Sequence, residues 1–561
     1  MSLLQTFATL VLAWAVWQVF RAFIAKSALD NILDQNRLLG GEVTPLFVLR
    51  RLPLTVCLGN LDQLFDRHGW KFQDDLGERY GPVVKLQSLL GRKALFVFDP
   101  LALQNIIIKD QYIYEPPEWA TTSFALVFGP GVLATYGERH RRQRKMLNPV
   151  FSIKHMRYMT PIFYRVAYNL QEGIKNHIND APKDIDLLHW VHRTALELVG
   201  QGGLGYSFDS LKEDVPYTAY ARAMKDLIAS LFHLTPYRLW TPYFKKLGPK
   251  WFRRWLLDRV PIQGIQRLKE MTDVVYENTR RVFFEKKAAL EAGDAAVKEQ
   301  VANGKDIMSI LLRENMKASD EDKLSEEELL GQMSLLVFAA TDTTTSALAQ
   351  TFQLLAQHRD VQEKVRAEIK EAKLKARGDI PHDELMALPY LDSICRETLR
   401  MYPPVTFMTR ETRKDVLMPL SQPIRGVNGQ LMSEIPVPKA TTILVGVRAS
   451  NMNASIWGED VKEWKPERWL DKLPESVTDA HLPGVYSNLM TFNGGGRSCV
   501  GFKFSQLEMK VVMAVLLESF DFSMPDNGKD VVWNLAGVRY PTVGRESKFA
   551  EFPMKVTPID T

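Results

Sequence analysis

The chain has 561 residues, 46% hydrophobic and 24% charged, the composition of a globular protein with a substantial core and not of a mainly disordered one. A net charge of +5 is too mildly basic to argue for nucleic-acid binding without a clustered stripe. Three cysteines, Cys57, Cys395 and Cys499, with no Cys-x-x-Cys pair, argue against a disulfide framework or a zinc site and suit a reducing cytosolic face.

Leu3 to Phe20 is almost wholly apolar, about the length a bilayer-spanning helix needs. Positive charge, Arg21 and Lys26, follows the run instead of preceding it. The pattern predicts a retained single-pass anchor over a cleaved signal peptide, with the rest of the chain on the cytosolic side. Residues 1–25 are read as the anchor, 26–54 as a connecting segment and 55–561 as one large domain. Gly81–Leu86 and Lys93–Pro100 read as two short strands, a hairpin at the edge of a small sheet. Tyr112–Thr135, with Pro116-Pro117, Trp119 and Gly129-Pro130-Gly131, reads as a loop with an apolar interior. In the basic run Tyr136–Lys145, His140 and Arg144 share one helix face at i, i+4 spacing; the commoner fate of such a run is a solvated helix.

Asp186 to Arg281 reads as helical without a chemical motif. Within it, Leu231–Trp255 interleaves Phe232, Trp240, Tyr243 and Trp251 with Arg238, Lys245, Lys250 and Arg253. That pattern suits either a surface element lying on a membrane or core aromatics beside a solvated rim. Ala288–Gly304 is a linker-like surface excursion.

Ser325 and Glu328 form a capping box that starts a helix running Leu329 through Leu355, apolar nearly all round and therefore buried. In its middle stands Ala339-Ala340-Thr341-Asp342-Thr343-Thr344-Thr345-Ser346. Five hydroxyls and a carboxylate in a buried helix cost stability unless paired, so they are either hydroxyls back-bonded in a bent helix or functional groups. Glu397 and Arg400 follow at i, i+3, then Tyr402-Pro403-Pro404-Val405, Arg410, Trp457-Gly458 and Pro466-Glu467-Arg468-Trp469.

The last motif is Phe492-Asn493-Gly494-Gly495-Gly496-Arg497-Ser498-Cys499-Val500-Gly501, ahead of a helix read over Phe502–Ser519. A thiol beside an arginine and near a helix N-terminus sits in positive potential, which favours the metal-binding thiolate. A lone cysteine is more often a small buried hydrophobe, and a glycine-rich loop can cradle phosphate; no Lys-Ser or Lys-Thr follows the glycines here.

The stretch resembles the Phe-x-x-Gly-x-Arg-x-Cys-x-Gly haem-binding loop of cytochromes P450 at every fixed position, and the other motifs follow that family's order. The resemblance covers the chain beyond the anchor, with a fungal, microsomal look. It implies a mainly α fold with small β-sheets (α+β), the cytochrome P450 fold, preceded by a transmembrane helix, with 55–561 as the haem-thiolate catalytic domain. It implies haem b held by the Cys499 thiolate, with Phe492 and Gly495 in the haem loop and His140, Arg144, Arg410 and Arg497 on the propionates. Asp342 is assigned to proton delivery and Thr343 to the oxygen pocket, with Ala340 where the family usually has glycine. Glu397, Arg400 and Arg468 are assigned a buried ion network. Arg139, Arg141, Arg142 and Lys145 are expected to face outward and dock an acidic electron donor. The implied reaction is monooxygenation of a terpenoid, sterol or fatty-acid-like molecule. Electrons come from NADPH through cytochrome P450 reductase, with cytochrome b5 as a further candidate, at the endoplasmic reticulum membrane. The alternatives are a haem-thiolate isomerase or dehydratase, which tends to lack the acid-threonine pair, and a membrane haem carrier or sensor.

Overall fold

The structure is a computed structural model that describes residues 59–88, 92–293, 304–426, 429–526, 528 and 530–559. The expected anchor, the connecting segment and Cys57 lie outside the described residues. Among the described residues no helix is long and apolar enough to cross a membrane. The protein is mainly helical with small sheets, and the described residues gather into two compact units.

One unit holds the described residues up to Pro117, with Phe407–Glu459 and Ser476–Gly495. Its five-stranded sheet runs in the order Val83–Gln87, Lys93–Val97, Thr442–Gly446, Phe407–Thr412, Tyr114–Glu115. The first two strands pair antiparallel with Val84 opposite Phe96, which is the hairpin expected at a sheet edge. Leu76, Leu86, Phe96 and Leu444 fill the core beside the sheet.

The other unit holds Glu118–Thr406, Asp460–Glu475 and Gly496–Thr561. Its helices include α1 (Glu118–Phe128), α2 (Gly137–Leu147), α3 (Ile153–Ile178), α4 (Leu187–Leu198), α5 (Ala219–His233), α6 (Thr235–Arg238), α7 (Thr241–Lys245), α8 (Lys250–Leu257), α9 (Gln263–Ala292), α10 (Glu326–Gln357), α11 (Pro389–Met401) and α12 (Phe502–Ser519). The segment expected to be a loop contains α1, because the residues between Pro117 and Gly129 hold no breaker. α3 packs on α12, and α4 packs on α10. α10 is the long buried helix expected, with both halves of the Ser325–Glu328 capping box formed. Helix α12 has its expected bounds and buries nearly its whole length.

The start of α10 is fixed by two further devices. Gly331 meets the Gly129-Pro130-Gly131 turn so closely that a Cβ there would stand 2.8 Å from the Gly131 nitrogen. Gln332 accepts the Val132 N–H at 3.1 Å. The Glu328 carboxylate, besides capping, accepts from Arg139 Nε at 2.8 Å, Gln143 Nε2 at 3.0 Å and Arg142 Nη2 at 3.2 Å. These partners hold its carboxyl down at about 2, against the opposing effect of burial. Arg139, Arg141 and Lys145 keep exposed surface, as expected of an outward basic cluster. Arg139 and Arg142 of α2 also bring their guanidinium groups to the buried Glu328 carboxylate at the α10 cap, and Lys145 bonds Asp322 at 2.6 Å.

Candidate active site

The polar middle of α10 is continuous α-helix through Ala340. Thr341, Thr343 and Thr345 donate their hydroxyl hydrogens to the carbonyls of Val337, Ala339 and Thr341 at 2.8, 2.7 and 2.7 Å. This back-bonding satisfies three hydroxyls and leaves each oxygen able to accept. Leu336, Ala339, Ala340 and Thr343, and to a small extent Asp342, keep accessible surface in an otherwise buried stretch. The spacing of the first four, i, i+3, i+4 and i+7, places them on one helix face.

Asp342 is the buried acid of this segment. Burial pushes its carboxyl up, opposed by His192 and by Lys225 farther off. His192 of α4 lies with Nε2 3.5 Å from Asp342 Oδ1, close enough for attraction but without hydrogen-bond geometry. Both ring nitrogens of His192 and the Oδ2 of Asp342 are buried without a hydrogen-bond partner. Such orphaned polar atoms facing one another are expensive to keep and mark a functional pair more readily than a structural one.

Cys499 ends its loop with an accessible face, although protein crowds it on the other sides. Burial pushes its thiol up, while the Gly501 backbone N–H and the Arg144 guanidinium draw it down. Arg144 reaches across from α2, donating from Nη1 to the Ser498 carbonyl at 3.0 Å and from Nη2 toward the Ser498 hydroxyl at 3.4 Å. Its Nε is buried without a partner, and burial lowers its guanidinium. Arg497 donates to the Thr135 carbonyl at 3.2 Å and adds positive potential at Arg144. His140 is buried one helical turn before Arg144. This part of the site therefore gathers Cys499, Arg497 and Arg144 around one loop. Cys395, by contrast, is buried and its thiol is pushed up to about 12 by that burial, as suits an inert packing residue.

Beneath lies a completely buried acid. Glu397 accepts from Arg400 Nε and Nη2, both at 2.8 Å, from Trp469 Nε1 at 2.9 Å and from Arg468 Nε at 3.4 Å. Arg468 also grips Asp460 at 2.8 Å. The triad read from the sequence forms as expected and ties α11 to the Pro466–Trp469 turn.

Arg410, Phe492 and Gly495 belong to the other unit. Arg410 is buried on the Phe407–Thr412 strand and donates to the Thr409 carbonyl at 3.0 Å. Phe492 stands edge-on to Tyr486, ring centroids 5.5 Å apart. Gly495 has φ +61°, and a Cβ there would collide with the Ile107 carbonyl, so the glycine is required sterically. Sequence reasoning missed His192 and Glu508. Glu508 of α12 is fully buried beside Thr344 without an acceptable hydrogen bond, and burial raises its carboxyl well above the usual range. Charged Glu508, with Lys510, in the middle of a mostly apolar helix was the available signal for it.

The donor set fits a haem. The accessible Cys499 sulfur offers a metal one ligand and leaves its other positions to the group that carries it, as a haem does. The orphaned Arg144 Nε is a donor suited to an acidic group of such a macrocycle.

The cytochrome P450 family model matches residues 49–541. The chain is 55% identical over 504 residues to cytochrome P450 monooxygenase 91 of Postia placenta, covering 90% of this chain and 92% of that one. Cytochrome P450 monooxygenase 81 of the same fungus is 49% identical over 540 residues, 94% of this chain and 98% of the other. A ganoderic acid synthetase of Ganoderma lucidum is 43% identical over 548 residues, 97% and 96% of the two chains.

Proposed function

The chain belongs to the cytochrome P450 family, haem-thiolate monooxygenases and hence oxidoreductases, and from that premise we propose that it oxidises a lipophilic small molecule of terpenoid, sterol or fatty-acid-like character. Electrons originate in NADPH and arrive through cytochrome P450 reductase. The haem, when bound, supplies the redox and oxygen chemistry. The observation that carries the assignment is the accessible Cys499 thiol with the Gly501 N–H and Arg144 drawn to it.

In this reading Cys499 would hold the haem iron through its thiolate, within a catalytic domain spanning 55–561. Arg144, Arg497, His140 and Arg410 hold the acidic groups, and Phe492 and Gly495 shape the loop. Asp342, whose carboxyl burial raises, is the acid assigned to proton delivery, and His192 stands 3.5 Å from its Oδ1. Thr343, its hydrogen committed to Ala339, presents an accepting oxygen on the accessible face of α10. The retained acid-threonine pair favours monooxygenation over isomerisation, and NADPH consumption with added reductase separates the enzyme from a haem carrier or sensor. The 43% identical ganoderic acid synthetase supports the lipophilic substrate class.

Membrane attachment at the endoplasmic reticulum, through a 1–25 anchor, belongs to the same proposal. The exposed aromatics Trp240, Tyr243, Trp251 and Trp255 among Lys245, Lys246 and Arg253 support a second, peripheral contact, because α7 and α8 bury no residue.

The test is the spectrum of the reduced, carbon-monoxide-bound protein. Wild type gives the red-shifted Soret band of thiolate-ligated haem and Cys499→Ala loses it; survival of the band in the variant overturns the ligand assignment.

A further inference from the structure

Arg238, the last residue of α6, has no acidic partner among the described residues. Its Nε and Nη2 both donate to the Ser123 hydroxyl, at 3.1 and 3.0 Å, and Nη1 donates to the Leu231 carbonyl at 3.3 Å. The guanidinium carbon stands 5.2 Å from the Trp119 ring centroid and 5.5 Å from that of Phe124. A guanidinium carries five N–H donors, so one hydrogen on each terminal nitrogen is left uncommitted. Burial alone pushes the group down to about 10, with no carboxylate offsetting it. It is still a cation at neutral pH. Two other arginines of this unit differ: Arg193 is matched by Asp209 at 2.6 Å and Arg366 by Asp521 at 3.2 Å.

The ring faces attract the cation, but desolvating a charge without a counter-ion costs stability that they offset only in part. The expense becomes intelligible if the missing anion is a ligand. Arg238 retains some accessible surface, so a ligand can reach it.

The rings beside Arg238 also give a direction. Phe124 is 6.5 Å from Phe338 of α10, and Phe128 packs on Phe338 at 4.5 Å. Phe338 immediately precedes Ala339, the start of the accessible stretch that ends at Thr343. An aromatic strip therefore connects a lone cation to the proposed oxidation site within one unit.

We propose that Arg238 is a substrate-recognition residue, and that the substrate is a lipophilic carboxylic acid whose carboxylate takes the two uncommitted N–H groups while its apolar body lies along α1 toward α10. Planar, bidentate pairing is what a guanidinium offers a carboxylate, and the flanking rings exclude water from the pair. The inference rests on the monooxygenase reading and adds the substrate's polar end to it. The oxidised carbon is then remote from the acid group, because the cation and the Asp342–Thr343 segment stand at opposite ends of the strip.

The experiment measures binding of matched acid and methyl-ester probes to the haem-loaded enzyme. The probes are palmitic, abietic and oleanolic acids and their esters, read by tryptophan fluorescence and by the haem absorption shift. Wild type is expected to bind at least one acid about tenfold or more tighter than its ester, a ratio that falls to about one in Arg238→Gln and is partly kept in Arg238→Lys. Equal binding of acids and esters by wild type, binding of no acid, or a preference that survives Arg238→Gln overturns the proposal. So does a variant that keeps the acid preference but loses binding to phosphatidylserine vesicles, which would assign the cation to a lipid headgroup. The carbon-monoxide spectrum and melting temperature of the same samples report separately on the haem-thiolate reading and on folding.

Discussion

Replacing Glu397 with alanine removes the acid on which two guanidinium groups converge. Arg400 contributes two hydrogen bonds of 2.8 Å and, like Glu397, has no accessible side-chain surface. Arg468 keeps Asp460 at 2.8 Å when Glu397 is lost. Arg400 keeps the Val461 carbonyl at 2.8 Å but loses the carboxylate that neutralises it. Stranding one partner of a buried pair costs about 3–5 kcal/mol, a large part of the roughly 5–15 kcal/mol that holds a typical protein folded. Urea unfolding followed by tryptophan fluorescence, with the thiolate haem band as a second probe, measures the loss. Adding Arg400→Met to the Glu397→Ala background removes the stranded charge, so the double variant is expected to be more stable than Glu397→Ala alone. A single variant within about 1 kcal/mol of wild type, or a coupling below about 0.5 kcal/mol, refutes the reasoning.

Glu328 makes stability depend on pH. Its folded carboxyl is depressed from 4.5 to about 2, so its contribution is complete above the unfolded value and is lost as pH falls from 4.5 toward 2. Discounted for the half-exposed Arg139, that contribution is roughly 1–2 kcal/mol; a stability difference between wild type and Glu328→Gln that stays constant over this window contradicts it. Gly331→Ala drives a methyl into the backbone of the Gly129–Gly131 turn, and a loss of about 1–3 kcal/mol is expected in thermal melts, with an unchanged melting temperature as the refuting result. Asp342→Asn is expected to cut product formed per NADPH consumed by about a hundredfold or more, and coupling equal to wild type would remove Asp342 from proton delivery. Because His192 lowers the Asp342 pKa, His192→Gln should extend the proton-holding form of Asp342 and move the alkaline limb of the turnover profile to higher pH. A limb that stays in place or moves down argues against the pair.

Features encoded by contiguous residues were legible before any coordinates. The capping box at Ser325, the bounds of α12, the edge hairpin and the glycines around Cys499 each follow from neighbours in the chain. Features set by distant partners were not. Arg139 finds Glu328 across 189 residues, so a run that reads as a solvated face also braces a helix cap. The aromatic and basic stretch Leu231–Trp255 held two behaviours that periodicity cannot separate: Trp251 is 71% exposed, while Arg238 is enclosed by α1. His192 sits on an ordinary amphipathic helix, and only the packing of α4 on α10 brings it to Asp342.

Helix α2 touches both ends of the proposed chemistry. Eleven residues make a strut about 16 Å long. Arg139 and Arg142 fasten one of its faces to the first turn of α10, and Arg144 fastens it to the carbonyl of Ser498, next to the cysteine. Helix α10 and the cysteine loop are thereby bolted to a common rigid part. One short helix therefore braces both the first turn of α10 and the loop that carries the sulfur, so a substitution that displaces α2 disturbs both supports at once.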